Sequence, residues 1–150
     1  MIRALLLLLP LLSAMAVDEL ADLRDKAKAN KRLLVSTSLQ LDADTEARFA
    51  PVYDLYQRDL AVIDARALEL VKKYGDALAS ENLSDDRATK LIQEALAIDA
   101  DEIALRQKYL PIMQRVLPGR TAMRYLQLEG KLRAIARYEV AATVPLIPGN

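Results

Sequence analysis

An all-α fold, built on a long antiparallel helical hairpin with flanking helices, is predicted by three features of this 150-residue sequence. After Val17 the chain is dominated by Ala, Leu, Glu, Lys, Arg and Gln, the strong helix formers. Only 4 glycines interrupt it. Apolar residues recur at steps of three and four over very long stretches, and none keeps the period of two that a half-buried strand requires.

The first element in order is a leader. Arg3 supplies a positive start, Ala4–Leu12 a short apolar run, and Ala14-Met15-Ala16 an A-x-A cleavage pattern. The apolar run falls short of the ~20 residues that span a bilayer. Residues 1–16 therefore read as a secretory signal peptide, and the mature chain from Val17 is expected to work outside the cytoplasm.

Residues 17–143 read as a single helical domain. A first helix is expected over Asp18–Leu34, with Leu20, Leu23, Ala27 and Leu34 on a weak apolar stripe. Its second half is basic, and Lys26, Lys28, Lys31 and Arg32 are candidates for docking an acidic partner or lipid headgroups, or form a solvated helix end. Val35–Gln40, interrupted by Ser and Thr, reads as a connector. The second helix runs from Asp42 or Asp44 to Leu78. Phe49, Tyr53, Tyr56, Leu60, Ile63, Ala67, Leu70 or Val71, Tyr74 and Leu78 form a heptad-like seam along it.

Ser80-Glu81-Asn82-Leu83 is the turn, and Ser84 caps a third helix, Asp85 to Val116. Its apolar surface has two rows. Leu91, Ala95, Ile98, Leu105, Tyr109, Ile112 and Val116 form one; Ile92, Leu96, Ile103, Leu110 and Met113 form the other. So wide a stripe calls for more than one partner helix. Leu117-Pro118-Gly119 breaks the chain before a fourth helix, Arg120 to Ala142, with Tyr125, Leu128, Leu132 and Ile135 on its seam. Residues 144–150, with Pro145 and Pro148, form an extended tail.

Pro51 and Pro111 are the expected kinks. Pro111 falls deep in a periodic helix, where it removes a hydrogen bond. Pro51 either does the same or sits in the first turn of a helix that starts late. With the turn centred near Glu81, the two prolines lie level, Tyr53 neighbours Tyr109, and the hairpin bends as a unit. A short repeat also stands at two helix starts: Leu41-x-x-x-Thr45-x-x-Arg48-Phe49 and Leu117-x-x-x-Thr121-x-x-Arg124-Tyr125. Leucine stapling and threonine capping explain it locally.

Composition narrows the function. Histidine and cysteine are absent. That removes the usual neutral-pH base and the commonest zinc ligand. Ser36, Ser38, Ser80 and Ser84 have no histidine to activate them. The carboxylate clusters Asp42/Asp44, Asp85/Asp86 and Asp99/Asp101/Glu102 lack the spacing of a calcium loop, the first two standing at helix starts and the third on what reads as a solvated face. No enzyme, cofactor or metal is expected. Removing Arg3 from 21 basic and 21 acidic side chains leaves one net negative charge, so nucleic acid is not an expected partner.

The exported, cysteine-free helical chain with leucine-led polar segments at helix starts resembles the Spy/CpxP group of bacterial periplasmic stress proteins. That family carries two Leu-Thr-x-x-Gln motifs around a helical hairpin. Here Leu41-Asp42-Ala43-Asp44-Thr45 and Leu117-Pro118-Gly119-Arg120-Thr121 stand in their places, with Asp42 and Pro118 at the Thr position and Thr45 and Thr121 at the Gln position. The resemblance covers Leu41–Ala142. It implies a periplasmic, cradle-shaped helical homodimer that binds unfolding clients without ATP or restrains an envelope sensor. The zinc-binding histidines of some relatives have no counterpart here.

A holdase is also consistent with the residues themselves, because so much apolar stripe exceeds what one thin monomer can bury. Phe49, Tyr53, Tyr56, Tyr109, Leu110 and Met113 are the candidate client surface, or else they pack the hairpin. The alternative function is a structural or adaptor bundle docking one fixed envelope partner through its basic first helix or its tail.

Overall fold

The structure, a computed structural model, describes residues 3–147, with side chains from Glu19 onward. The side chains of the leader and its cleavage site, and residues 148–150 of the tail, lie outside the described residues. Four helices follow one another: α1 (Arg3–Leu39), α2 (Ala43–Ala79), α3 (Asp85–Val116) and α4 (Gly119–Thr143). Among the described residues there is no strand, and no helix is long and apolar enough to cross a membrane. The chain divides into two compact units, Asp42–Ala122 with Ala142–Asn150, and Met1–Leu41 with Met123–Ala141.

The first of these is the hairpin α2–α3. Its helices hold 37 and 32 residues, about 55 and 48 Å at 1.5 Å per residue. Each begins at a side-chain cap. Asp42 accepts a bond from the Thr45 backbone N–H at 2.8 Å, and Ser84 accepts one from Arg87 at 3.3 Å, satisfying donors a helix start leaves open. α2 stops because Glu81 turns left-handed at φ 52. The Glu81 and Asn82 N–H groups then donate to the Leu78 and Ala77 carbonyls, the Schellman arrangement that closes a helix end.

Between the helices lies an apolar seam. Phe49, Tyr53, Tyr56, Leu60, Ile63 and Ala77 of α2 are buried, as are Ile98, Leu105, Tyr109 and Met113 of α3. A ladder of ion pairs flanks it. Asp59 meets Lys108 at 3.0 Å, Arg66 meets Asp101 at 2.5 Å, and Lys73 meets Glu94 at 2.9 Å. Seven residues forward on α2 correspond each time to seven residues back on α3. This is the spacing that keeps a left-handed antiparallel seam in register.

The ladder corrects two expectations. Its midpoint falls between Leu83 and Ser84 rather than at Glu81, because the cap residues 80–82 are spent closing α2. Tyr109 therefore stacks edge-on against Tyr56, with ring centres 5.3 Å apart, and not against Tyr53. Pro111 faces Tyr56, so the two prolines are staggered by about five residues, roughly 7 Å, and do not lie level. α2 begins well before Pro51, which excludes the late start, and both helices continue through their prolines. Pro51 and Pro111 stand on exposed faces. There the carbonyls they leave unbonded, those of Ala47 and Gln107, are open to water.

The second unit pairs α1 with α4. The backbone is helical on both sides of Asp18, but Asn30 breaks α1 with φ −163 and ψ 94. Its Oδ1 accepts from the Leu33 N–H at 3.0 Å and so caps the following segment. That segment runs to Leu39, which corrects the connector expected over Val35–Gln40. Ser36 and Thr37 turn their hydroxyls back onto the Leu33 carbonyl at 3.2 and 2.7 Å, so their polar groups are met within the helix.

Leu34, Val35 and Leu39 of α1 and Tyr125, Leu128 and Leu132 of α4 are buried. Lys28 reaches Glu139 at 2.8 Å, Lys31 reaches Glu129 at 2.9 Å, and Arg124 donates to the Ser38 carbonyl at 2.7 Å. From Lys28 to Ser38 the order reverses between the helices, as in an antiparallel pair; Lys131 meets Glu19 outside that order, on the far side of the break at Asn30. Beyond Thr143 the tail is non-helical, and in the hairpin unit Tyr74 donates to the Pro145 carbonyl at 2.7 Å.

Candidate functional site

α3 is apolar on two opposite sides. One side fills the seam. The other carries Ile92, Leu96, Ile103 and Leu110, which are 59%, 63%, 57% and 37% exposed. Leu96, Ile103 and Leu110 follow at seven-residue intervals, and Ile92 precedes Leu96 by one turn, so the four form one stripe. Gln93, Ala97, Ala100, Ala104 and Gln107, all exposed, fill the surface beside it. Charge appears only at one margin, as Asp99 and Arg106. The stripe from Ile92 to Leu110 is about 27 Å long. A contiguous apolar surface of this kind marks a binding face. α2 adds Leu55, Val62 and Leu68, 44%, 62% and 73% exposed, interspersed with Asp54, Arg58, Asp64, Arg66 and Glu69.

This surface is not the one the aromatic residues pointed to. Of the six candidates, Phe49, Tyr53, Tyr56, Tyr109 and Met113 are buried, and only Leu110 reaches solvent. The five pack the hairpin. Phe49 and Tyr53 tilt together with ring centres 6.0 Å apart, and aromatic bulk on a heptad position is what a seam needs. Ile92, Leu96 and Ile103 belong to the second row of α3. The signal for them was the excess width of the stripe.

At the inner edge of the hairpin Asp59 gathers three donors. Tyr109 Oη donates at 2.7 Å, Lys108 at 3.0 Å and Arg58 at 3.0 Å. These bonds, the tyrosine's first, hold the Asp59 carboxyl far below the usual carboxylate range. Burial, and then the bond to Asp59, push the Tyr109 phenol up to about 12. Lys108 also lies over the Tyr109 ring, 5.0 Å from its centre. The cluster ties α2 to α3 and is oriented for structure.

The other sequence candidates resolve in the same way. Thr45 is buried, and its hydroxyl donates to Asp42 at 3.0 Å while Arg48 donates to that hydroxyl at 3.2 Å. The Thr45 backbone and hydroxyl bonds also draw the Asp42 carboxyl below its ordinary value. Leu41 is half-buried and Leu117 buried. The second copy of the repeat differs at the cap. Pro118 precedes α4, and its carbonyl accepts from Ala122 at 2.9 Å. Thr121 is half-buried there.

The basic strip is engaged within its own unit. Lys26 pairs with Asp22 at 2.8 Å, Lys28 with Glu139 and Lys31 with Glu129, while Arg32 is exposed. Of the carboxylates, Asp85 and Asp86 occupy the first turn of α3, where they complement the helix dipole. Glu102 departs from the solvated face expected for its cluster: it is 2% exposed and paired with Arg106 one turn on.

Among the described residues no three His, Cys, Asp or Glu side chains are grouped to hold a metal ion. No family model matches the chain, and no curated protein or solved structure is significantly similar to it.

Proposed function

We propose that this chain is an exported, ATP-independent client-binding protein of the holdase type, acting in the cell envelope. One observation carries the reading: the exposed aliphatic stripe of Ile92, Leu96, Ile103 and Leu110 on the side of α3 away from its seam. An aliphatic surface charged only at one margin offers no fixed hydrogen-bonding pattern, so it selects for exposed apolar segments rather than for one sequence. The leader pattern supports export, and the resemblance to the Spy/CpxP group supports the envelope setting. The adaptor reading through the first helix is less well supported, since Lys26, Lys28 and Lys31 already spend their charge on intramolecular partners.

The test is light scattering from a chemically unfolding model protein, with the purified chain added and no nucleotide. Suppressed aggregation near equimolar ratio is expected, with Ile103→Asp losing most of it while keeping the helical circular dichroism of the parent. Equal activity in the parent and in Ile103→Asp rejects the stripe as the client surface.

A further inference from the structure

We infer that residues Glu19–Ala29 of α1 are a lid hinged at Asn30, closed over an apolar surface of α4 and folded only while it is closed. The inference does not rest on the α3 stripe; it adds a second, gated apolar surface to the chain. The contacts of α1 with α4 place the hinge. Along α1 the partners on α4 climb from Lys131 at Glu19 to Glu139 at Lys28, then descend through Glu129 at Lys31 to Arg124 at Ser38. The turning point lies beside Asn30, whose backbone is extended at φ −163 and ψ 94. Asn30 also gives its side chain to the later segment, accepting from the Leu33 N–H, so that segment keeps its own cap whatever the earlier one does.

The two segments are anchored unequally. Beyond the hinge Leu34, Val35 and Leu39 are buried. From Glu19 to Leu33 no residue is buried. The lid's ion pairs with α4, Lys28 with Glu139 and Glu19 with Lys131, stand at the surface, where each adds little. Between them runs a short apolar contact. Glu19, Leu23 and Ala27 recur at four-residue steps on the lid, as Lys131, Ile135 and Glu139 do on α4, so each set shares one helix face. The ion pairs at the two ends therefore set Leu23 and Ala27 over Ile135, and all three are half-buried.

Folding of the lid is coupled to this contact. With residues 1–16 removed, as the leader pattern implies, the lid is a helix of about a dozen residues, a length that is marginal in water. Lifted from α4 it loses its helix, and the conformational entropy it regains offsets part of the lost contact. Lifting is thus a local event that needs far less free energy than unfolding of the whole chain. It leaves Ile135 bare between Lys131 and Glu139, an apolar centre with one charge of each sign a turn away.

Hydrogen exchange on the purified chain from Val17, read by mass spectrometry, tests the lid directly. Peptides from Glu19–Ala29 should exchange at least about tenfold faster than those from Leu34–Leu39. Lys131→Glu, which meets Glu19 with a like charge, should speed the lid about fivefold further and leave Leu34–Leu39 unchanged. Glu19→Lys added to Lys131→Glu should restore the parent rate. The chain contains no cysteine, so Leu23→Cys with Ile135→Cys should close the lid by one disulfide on mild oxidation. The closed lid should exchange more slowly, and reduction should release it.

The gated surface has its own readout in the fluorescence of anilinonaphthalene sulfonate, which reports exposed apolar area. Its signal should rise in Lys131→Glu, fall in the disulfide-closed chain, and lose the rise when Ile135→Ser is added to Lys131→Glu. Equal exchange in the two segments, loss of protection at Leu34–Leu39 together with the lid, or a double swap no better than Lys131→Glu alone overturns the inference. So does a cysteine pair that fails to close, or a dye signal indifferent to Ile135. No client protein enters these measurements, so the lid stands or falls apart from the client-binding reading.

Discussion

The hairpin and the α1–α4 unit are held together in opposite ways. In the hairpin, bulky apolar side chains repeat along both helices and the cross-helix ion pairs lie at the surface, while its buried carboxylate, Glu102, is paired within α3 to Arg106 and not across the seam. In the α1–α4 unit the buried apolar set is smaller, and a carboxylate is buried with it: Glu129 is 1% exposed and bonded to Lys31. An apolar seam tolerates loss of its charges, because exposed pairs are worth little. A buried carboxylate tolerates the loss of an ion-pair partner less well, because no water takes the place of that partner. The same interaction type is thus marginal in one unit and structural in the other.

The largest expected effect breaks the hairpin side of this comparison. Tyr56 is fully buried and stacks on Tyr109, so Tyr56→Ala removes both its buried area and its edge contact. A loss of about 3–5 kcal/mol is expected from urea unfolding followed by helical circular dichroism. Arg66→Ala, which removes the middle rung of the ladder, should cost under about 0.5 kcal/mol in the same experiment. Comparable costs for the two would mean that the ladder, and not the seam, holds the hairpin.

The next effect sharpens the other side. Lys31→Ala should destabilise by about 2–3 kcal/mol, below the full range for a buried pair because the lysine itself is partly exposed. Lys31→Met with Glu129→Met should recover most of that loss, since an apolar pair of similar volume needs no desolvation. Hydrogen exchange locates the damage. Amides of Leu34–Leu39 should lose protection in Lys31→Ala while those of Tyr53–Ile63 keep theirs. Uniform loss across both units would show that they unfold together, and the contrast between them would then have no energetic meaning.

Much of this architecture was legible in the residues, for identifiable reasons. The starts of α2 and α3 follow from Asp42 and Ser84, whose side chains can only satisfy backbone donors at a helix entrance. The seam follows from the three-and-four spacing of Phe49 through Ile63. What escaped depends on tertiary context. Ser36 and Thr37 look like loop residues until their hydroxyls are seen bonding back within the helix. Glu102 and Glu129 look like surface charges because burial of a carboxylate is set by a partner, not by its own pattern. The register escaped because a left-handed Glu81, where glycine is usual, consumes residues in capping that a simple turn would leave in the middle.

The site was half legible. The two rows of α3 were visible, but aromatic weight drew the reading to the buried tyrosines, and from the second row it took only Leu110, which is exposed, and Met113, which is buried. Large aromatic side chains gain most from complete burial, so the row richer in them is the inner one. The medium-sized aliphatics Ile92, Leu96 and Ile103 stay outside. On a helix apolar on both sides, the row without aromatics is the better place to look for a reversible contact.

The smallest expected effect concerns pH and returns to the seam's edge, where Asp59 and Tyr109 share a hydrogen bond. Asp59 is held below its ordinary value in the folded chain. Its stabilising contribution is therefore complete above the unfolded carboxylate value near 4 and is lost as pH falls through and below it. Tyr109 is shifted the other way, to about 12. Its contribution is complete below the unfolded phenol value near 10 and is lost as pH rises from there toward 12. Melting temperature against pH should thus show a plateau with an acid and an alkaline shoulder. Tyr109→Phe keeps the ring against Tyr56 and removes only the hydroxyl, so part of the alkaline shoulder should vanish. The acid shoulder should shrink but persist, because Lys108 and Arg58 still bond Asp59. An acid shoulder unchanged in Tyr109→Phe would assign it to other carboxylates, such as the capping Asp42, and would leave the seam's edge without a charged clasp.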